Sequence, residues 1–299
     1  MASTIDYVKL HFIIFLWGFR AILGLFIKIP AIELVVLRTL TAALGMGLLI
    51  ILVKQNFKVP AGYLPKLILV GFVVAAHWIT FFASARVSNA SVSLVGIATG
   101  SLWASVLDPI FTKRKIRGYE VLLGSLVIVG LYVIFSFDFD YPLGLALGVL
   151  SGFLSALFFA LNQRLGKSVG TYQITFFEMF GACVGALVYL GFHKTVVDQH
   201  YVINFKADLV DWLCILILGI VCTVYAFSVS VDLMKRLSVF FMQLSLNLEP
   251  VYGIILAVMI FGNTEKMNIQ FYLGTLIILM AVAGYPVLKR RFNSDPLLN

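Results

Sequence analysis

The sequence predicts an all-α integral membrane protein with ten transmembrane helices, arranged as two inverted five-helix repeats around a central cavity. The first observation is composition, because the 299 residues are 61% hydrophobic and only 12% charged, whereas soluble domains carry about 25% charged residues. The second is length, since ten apolar stretches each approach the roughly 20 residues that cross a bilayer. The third is that the second half repeats the pattern of the first half.

Turn-forming residues separate the ten stretches, and Pro30, Pro60, Pro142 and Gly170 mark four of the joins. As a helix, each stretch would extend about 30 Å at a rise of about 1.5 Å per residue. The predicted helices are Leu10–Ile29, Ala31–Val53, Leu64–Ala85, Asn89–Phe111, Gly118–Ser136, Pro142–Gln163, Thr171–Phe192, Leu209–Leu233, Leu237–Phe261 and Ile269–Leu288.

The internal repeat is clearest at the end of each half. The fourth and ninth helices each contain an acid-Pro pair, Asp108-Pro109 and Glu249-Pro250, and each leads through a short polar connection to a glycine-bearing helix. Because five is an odd number of crossings, two consecutive units must lie upside down relative to each other. Inverted repeats are typical of alternating-access transporters. The predicted repeats cover residues 1–140 and 141–299.

Basic residues are distributed unevenly between the two ends of the predicted bundle. With the amino terminus inside, fifteen of the 22 lysines and arginines lie inside and five lie outside. Loop charge of this kind sets orientation, so we expect a multi-pass protein of the cytoplasmic (inner) membrane with both termini cytoplasmic. The fifteen are Lys9, Lys54, Lys58, Lys66, Lys113, Arg114, Lys115, Arg117, Arg164, Lys167, Lys235, Arg236, Lys289, Arg290 and Arg291.

Five chemically specific side chains reach about the same depth, near the middle of the membrane. They are Arg20, His77, Trp78, Trp103 and Glu249. Charges in lipid cost several kcal/mol, and transporter sites lie near the midplane at the repeat interface. We therefore predict that these five bind substrate. Each also has a purely structural interpretation: the two charges could pair with each other, the histidine could be a hydrogen-bonded core residue, and the indoles could pack helices.

Other polar and aromatic residues are secondary candidates for a cavity or gate. Arg38 and Glu178 occupy corresponding positions in the two repeats, but inversion places them at different depths, so we expect no direct salt bridge between them. Each would brace its own half or gate one side. The secondary candidates are Trp17, Arg38, Glu178, Tyr225, Gln243 and Asn247.

Several classes of chemistry lack their sequence signatures. The chain has no HExxH, no rhomboid-like serine motif and no Walker A motif, and its three cysteines lie in apolar runs without metal-ligand spacing. We expect no enzyme, no catalytic residue, no cofactor and no metal. The expected partners are a small-molecule substrate and the lipid bilayer, with a homodimer left open and no nucleic acid. A channel or structural membrane subunit is the alternative to a carrier, and an intramembrane enzyme is the least favoured.

Three segments together resemble the EamA family of ten-helix carriers, in the drug/metabolite transporter superfamily. Residues 15–19 (FLWGF) are similar to that family's aromatic-Trp-Gly opening, and residues 248–274 are similar to its Pro…Gly-Glu…Gly signature. Residues 162–164 (NQR) fit the end of the family's sixth helix. The resemblance extends over essentially the whole chain. It departs from the family at two places. Gly100 stands where the second half has Pro250, and the Gly-Glu pair is interrupted, because Asn263 and Thr264 stand between Gly262 and Glu265.

The resemblance implies two EamA domains around a central cavity. It also implies transport of a small organic solute, often the efflux of amino acids or related metabolites. Two ways of driving transport stay open. If Arg20 and Glu249 pair, Glu249 remains ionised and the solute gradient drives a facilitator. If Arg20 binds substrate instead, Glu249 could carry a proton in exchange.

Cysteine labelling tests the predicted orientation. We expect an impermeant maleimide on whole cells to label a cysteine introduced at Lys194 but not one introduced at Lys289, because the basic asymmetry places these residues outside and inside. The parent protein is the control, since its own cysteines lie in apolar runs. Labelling at residue 289 and not at residue 194 would overturn the orientation.

Overall fold

The structure is a computed structural model, and it describes residues 3–88, 90–135, 141–249, 251–252 and 269–293. Helices make up its regular secondary structure. Two segments, His193–Val197 and Ile217–Tyr225, have the wider π-helical winding. The α-helices are α1 (Thr4–Phe26), α2 (Ala31–Leu52), α3 (Leu64–Val87), α4 (Ala90–Ala98), α5 (Gly100–Thr112), α6 (Gly118–Phe135), α7 (Pro142–Leu165), α8 (Thr171–Phe192), α9 (Leu209–Leu216), α10 (Ala226–Leu233), α11 (Val239–Leu246) and α12 (Ile269–Asn293).

Seven helices within the described ranges are long and apolar enough to cross a membrane, and each coincides with a predicted span. α6 contains a shorter apolar helix, and α1 has 23 residues at the position of the first predicted span. The ninth predicted span lies partly outside the described residues. The seven are Ala31–Leu52, Leu64–Val87, Val95–Thr112, Pro142–Leu165, Thr171–Val197, Leu209–Leu233 and Ile269–Phe292.

The first helix begins at Thr4 and not at the predicted Leu10. Its start is capped, because the carboxylate of Asp6 accepts a hydrogen bond from the backbone amide of Ser3 at 2.9 Å. The prediction followed hydropathy, which reports where the apolar face begins. A polar capped turn lies before that point, so the predicted start was wrong.

Two predicted spans are broken near their middle. Thr99 separates α4 from α5, and its hydroxyl donates to the carbonyl oxygen of Gly96 at 2.7 Å. In the second half, α11 ends at Leu246 and a turn follows before Glu249. The fourth and ninth spans occupy corresponding positions in the two predicted repeats. Discontinuous helices at the repeat interface are common in transporters, because the freed backbone groups can line a site.

The helix contacts repeat between the two halves. α3 packs against α8, and its counterpart in the second half, the span from Leu209 to Leu233, packs against α2. Likewise α4 and α5 pack against α7, as α11 packs against α1. α2 and α8 occupy corresponding positions in the two halves and pack against each other, and the same is true of α6 and α12. This pattern fits two related repeats, whereas the boundary predicted at residue 140 lies among residues 136–140, outside the described ranges.

The helices cross alternately, so the bundle has two distinct ends. The fifteen basic residues named above lie toward the end where α1 begins, which we call the basic end. The opposite end carries the connection from His193 to Asp208. At the basic end, the side chain of Gln173 donates to the backbone carbonyl of Asn56. This contact places the start of α8 beside the connection that follows α2.

Glycines let α3 and α8 approach until their backbones touch. A Cβ atom added at Gly71 would lie 2.7 Å from the amide nitrogen of Ala182 and 2.8 Å from the Cα atom of Gly181. Gly181 faces α3 in the same way, since a Cβ atom there would lie 2.6 Å from the carbonyl oxygen of Ile68. Small residues at such crossings permit close packing in membranes. This contact joins the first half of the chain to the second.

Candidate functional site

A small cavity of about 60 Å³ lies at the centre of the bundle, where both halves meet. Four of the five predicted midplane residues line it: Arg20, His77, Trp78 and Glu249. The secondary candidates Trp17, Arg38, Gln243 and Asn247 also line it. Sequence depth therefore selected four residues of this wall, and the structure adds which helix faces converge.

Three candidates lie elsewhere among the described residues. Trp103 is 37% exposed and packs edge-on against Phe153, with ring centroids 5.3 Å apart. Tyr225 is exposed beside Phe12 and lines a separate open crevice of about 520 Å³ toward the basic end. Glu178 is fully buried away from the cavity wall. Their depth was compatible with a central site, but their helix faces turn them away from it.

Arg20 and Glu249 form an ion pair in the cavity wall. Nε of Arg20 donates to Oε1 of Glu249 at 3.2 Å, and Nη2 of Arg20 contacts Oε2. This two-point contact is the strong form of an arginine–carboxylate pair. The side chains are 19% and 17% exposed. The pair joins the first helix of one half to the broken ninth span of the other, so the structural interpretation of these two charges as partners is correct in this conformation.

Arg38 is the second guanidinium in the wall, and it is only 1% exposed. Its Nε and Nη2 atoms both donate to the hydroxyl oxygen of Thr223, each at 3.2 Å. Its guanidinium carbon lies 4.2 Å from the ring centroid of Trp78. Glu178, its counterpart in the other repeat, instead accepts a hydrogen bond from the side chain of Asn162 at 2.9 Å.

The π-helical segment Ile217–Tyr225 supplies the hydrogen-bond acceptors for the side chains of Trp17 and Arg38. The hydroxyl of Thr223 donates to the carbonyl oxygen of Leu218, five residues earlier, at 2.8 Å and accepts from Arg38. The carbonyl oxygen of Cys222 accepts a hydrogen bond from the indole nitrogen of Trp17 at 2.8 Å. π-Helical turns are frequent at functional sites. The sequence predicted an ordinary helix here, because an apolar run carries no signal for the wider winding.

Hydrogen bonds fix the polar residues on the other side of the cavity. Nδ1 of His77 lies 2.9 Å from both the hydroxyl and the carbonyl oxygen of Ser151, which ties α3 to α7. The amide of Gln243 donates to the hydroxyl of Ser155 at 2.9 Å, and the amide of Asn247 donates to the carbonyl oxygen of Gln243 at 3.1 Å. His77 is therefore a bonded core residue that also lines the cavity.

At the opposite end of the bundle, hydrogen bonds and an ion pair join the long connection to neighbouring helices. The hydroxyl of Tyr201 donates to the buried carboxylate of Glu33 at 2.7 Å, which draws the long connection onto the start of α2. The ammonium of Lys28 contacts Asp208 at 2.9 Å. A hydrogen bond from the backbone amide of Asp211, together with this ammonium, lowers the pKa of the Asp208 carboxyl. These contacts join the α1–α2 connection to the start of α9.

Ion pairs link neighbouring elements at the basic end. Arg236 binds the carboxylate of Asp6 at 3.0 Å and so holds the start of α1 to the connection before α11. Arg114 bridges Asp108 at 3.0 Å and Glu120 at 2.7 Å, and thereby holds the end of α5 to the start of α6. Arg20 and Glu249 in the cavity wall keep 19% and 17% of their side-chain surface accessible, so the cavity is narrow but not sealed. Its volume holds only a few waters, well below the roughly 300–1,000 Å³ of typical ligand pockets.

Comparisons with known proteins agree with this geometry. Residues 142–285, within the second predicted repeat, match the model of the EamA-like transporter family. A protein of known crystal structure superposes with a TM-score of 0.79 at 15% sequence identity, over 97% of this chain and 100% of that chain. At that identity the likeness concerns the fold alone. None of the curated proteins matches the sequence at a significant level.

A double-mutant cycle tests whether Arg20 and Glu249 depend on each other. We expect Arg20→Gln and Glu249→Gln each to lower the melting temperature of the purified protein more than the double variant does, because each single change leaves a buried charge without its partner. Coupling between contacting residues is of the order of 0.5–3 kcal/mol. Single-variant effects that simply add in the double variant would contradict the pairing.

Proposed function

The chain belongs to the EamA-like transporter family of the drug/metabolite transporter superfamily, and on that premise we propose that it is a secondary transporter that works by alternating access. The family consists of carriers and not of enzymes, so the protein is a multi-pass membrane transporter of a small molecule. The proposed cargo is a small organic solute such as an amino acid or a related metabolite. The proposed physiological direction is export across the cytoplasmic membrane, with the basic end and both termini inside.

The observation that carries the proposal is the narrow central cavity, which helices from both the first and the second part of the chain line. Its wall combines two arginines and a carboxylate with aromatic rings, including those of Trp78 and Phe158. Binding sites at the centre of the bundle, formed by discontinuous helices, are typical of alternating-access carriers. A channel is the alternative class, and the saturation of transport separates it from a carrier.

Opening toward one side would break the contacts at that end and leave those at the other end intact. The Arg20–Glu249 pair supports the first of the two driving mechanisms, in which Glu249 stays ionised and the solute gradient drives a facilitator.

Counterflow in proteoliposomes tests the carrier function. We expect saturable uptake of a labelled solute into vesicles preloaded with the same unlabelled solute, screened across amino acids and carboxylic acids. Trp78→Ala should reduce the initial rate at least about tenfold, since it removes both cavity wall and the ring beneath Arg38. Arg164→Gln, an exposed change on α7 that removes one positive charge, is the control and should transport normally. Flux that rises linearly with solute concentration would instead indicate a channel.

An imposed pH gradient tests the driving mechanism. With the solute equal on both sides of the vesicle membrane, we expect no net accumulation, because a paired and ionised Glu249 has no proton to exchange. Vesicles without a pH gradient are the control. Accumulation that disappears in Glu249→Gln would show proton coupling and refute the facilitator.

A further inference from the structure

We propose that Arg38 forms an anion subsite in the central cavity, which binds the carboxylate of an apolar solute carrying one net negative charge. The proposal rests on the proposed carrier function and narrows its substrate class. The position of Arg20 near the middle of its predicted helix made it the expected anion-binding residue. The structure favours Arg38 for this role, because the guanidinium of Arg20 already binds Glu249 at two points.

Arg38 is a buried cation without a carboxylate partner. Within the described ranges no carboxylate oxygen lies within 4.0 Å of its guanidinium, and its two hydrogen bonds both end on the one hydroxyl oxygen of Thr223. A guanidinium has five N–H donors in a planar fork that matches a carboxylate. Thr223 and the ring of Trp78 hold this fork in place at the cavity wall. Donors therefore remain for a ligand at a site that is already oriented.

The charge balance of the cavity points to the same ligand class. Among the described residues, its wall contains two guanidiniums, Arg20 and Arg38, and one carboxylate, Glu249, so with a neutral histidine the formal charge of this wall is +1. An uncompensated charge away from water is costly. A solute with one excess negative charge neutralises the cavity, whereas a zwitterion leaves the +1 in place and a cation increases it.

Aromatic rings in the cavity wall favour a solute whose remaining part is apolar. Phe158 and Phe227 stack with ring centroids 5.9 Å apart, and Phe159 and Trp78 extend the apolar surface. A second charged group on the solute would lie against these rings without a partner, since the carboxylate of Glu249 is already bound. The favoured solute is thus an apolar monocarboxylate, ahead of an acidic amino acid, which has the same net charge. Carriage of such an anion moves one negative charge per cycle, so an inside-negative membrane potential favours its export.

Ligand-dependent melting of the purified full-length protein tests the subsite. The probes share a phenyl ring and differ in charge: phenylacetate, its neutral isostere phenylacetamide, phenethylammonium and zwitterionic phenylalanine, with glutamate as the acidic amino acid. We expect phenylacetate to raise the melting temperature in a saturable way, with at least tenfold tighter apparent affinity than each of the others. Stabilisation by phenylacetamide equal to that by phenylacetate, stabilisation by glutamate alone, or no stabilisation by phenylacetate would each overturn the proposal.

Variants assign the effect to Arg38. Arg38→Gln should weaken phenylacetate binding at least tenfold, and Arg38→Lys, which keeps the charge but loses the fork, should weaken it less. Thr223→Val keeps every charge and removes only the hydroxyl that orients the guanidinium, so it should weaken binding several-fold even if Arg38→Gln does not fold. Arg164→Gln is the matched control for removal of one positive charge and should bind like the unaltered protein. The role of Arg38 would be refuted if Thr223→Val binds phenylacetate with unchanged affinity and Arg38→Gln either binds it with unchanged affinity or does not fold.

Counterflow on the same preparation separates this proposal from the carrier function. Saturable counterflow of phenylalanine or phenylacetamide, without preference for phenylacetate, would leave the carrier standing and remove the anion subsite. Phenylacetate binding that depends on Arg38, without counterflow of any probe, would leave the subsite standing and remove the carrier. Phenylacetate counterflow that speeds up with a membrane potential positive on the side toward which it moves would support both.

Discussion

The contact between Arg20 and Glu249 is the interaction on which the centre of this protein depends. Both charges lie where the bundle is surrounded by lipid, and neither could remain there alone without a large free-energy cost. Their pairing fixes α1 against the broken ninth span, so that one half of the chain is held to the other beside the cavity. It also occupies the only carboxylate of the described wall and leaves Arg38 as the uncompensated charge.

Breaks in helical regularity supply the polar groups that surround this pair. A regular helix keeps its carbonyl groups for its own hydrogen bonds. The π-helical segment instead presents the carbonyl of Cys222 to Trp17 and the hydroxyl of Thr223 to Arg38. The interruption at Thr99 in the fourth span has its counterpart in the turn before Glu249 in the ninth. Irregular backbone at membrane depth is tolerated where it lines a cavity or is buried in protein, and these breaks meet that condition.

Hydropathy and charge were enough to predict the helical membrane fold and the seven apolar helices that the structure describes. The substrate site stays a prediction. Hydropathy and charge could not assign helix faces, because a helix surrounded by lipid and other helices is apolar on every side. Trp78 and Trp103 show this, since both were placed near the midplane but only Trp78 lines the cavity. The pairing of Arg20 was one of two open interpretations. The orientation of the buried Arg38 guanidinium depends on Thr223 of the π-helical segment, and the wider winding leaves no mark in an apolar sequence.

The two proposed repeats differ in their polar contacts. Arg38 and Glu178 occupy corresponding positions in the sequence, yet one lines the cavity and the other pairs with Asn162 between helices. The contacts at the two ends differ as well, since the buried Glu33 accepts hydrogen bonds at one end and Arg114 forms ion pairs at the other. Under the proposed alternating access, two repeats of similar fold would give the two opposite openings similar packing energies. The different contacts at the ends would then decide which opening is preferred, and the central charge would decide which solute binds.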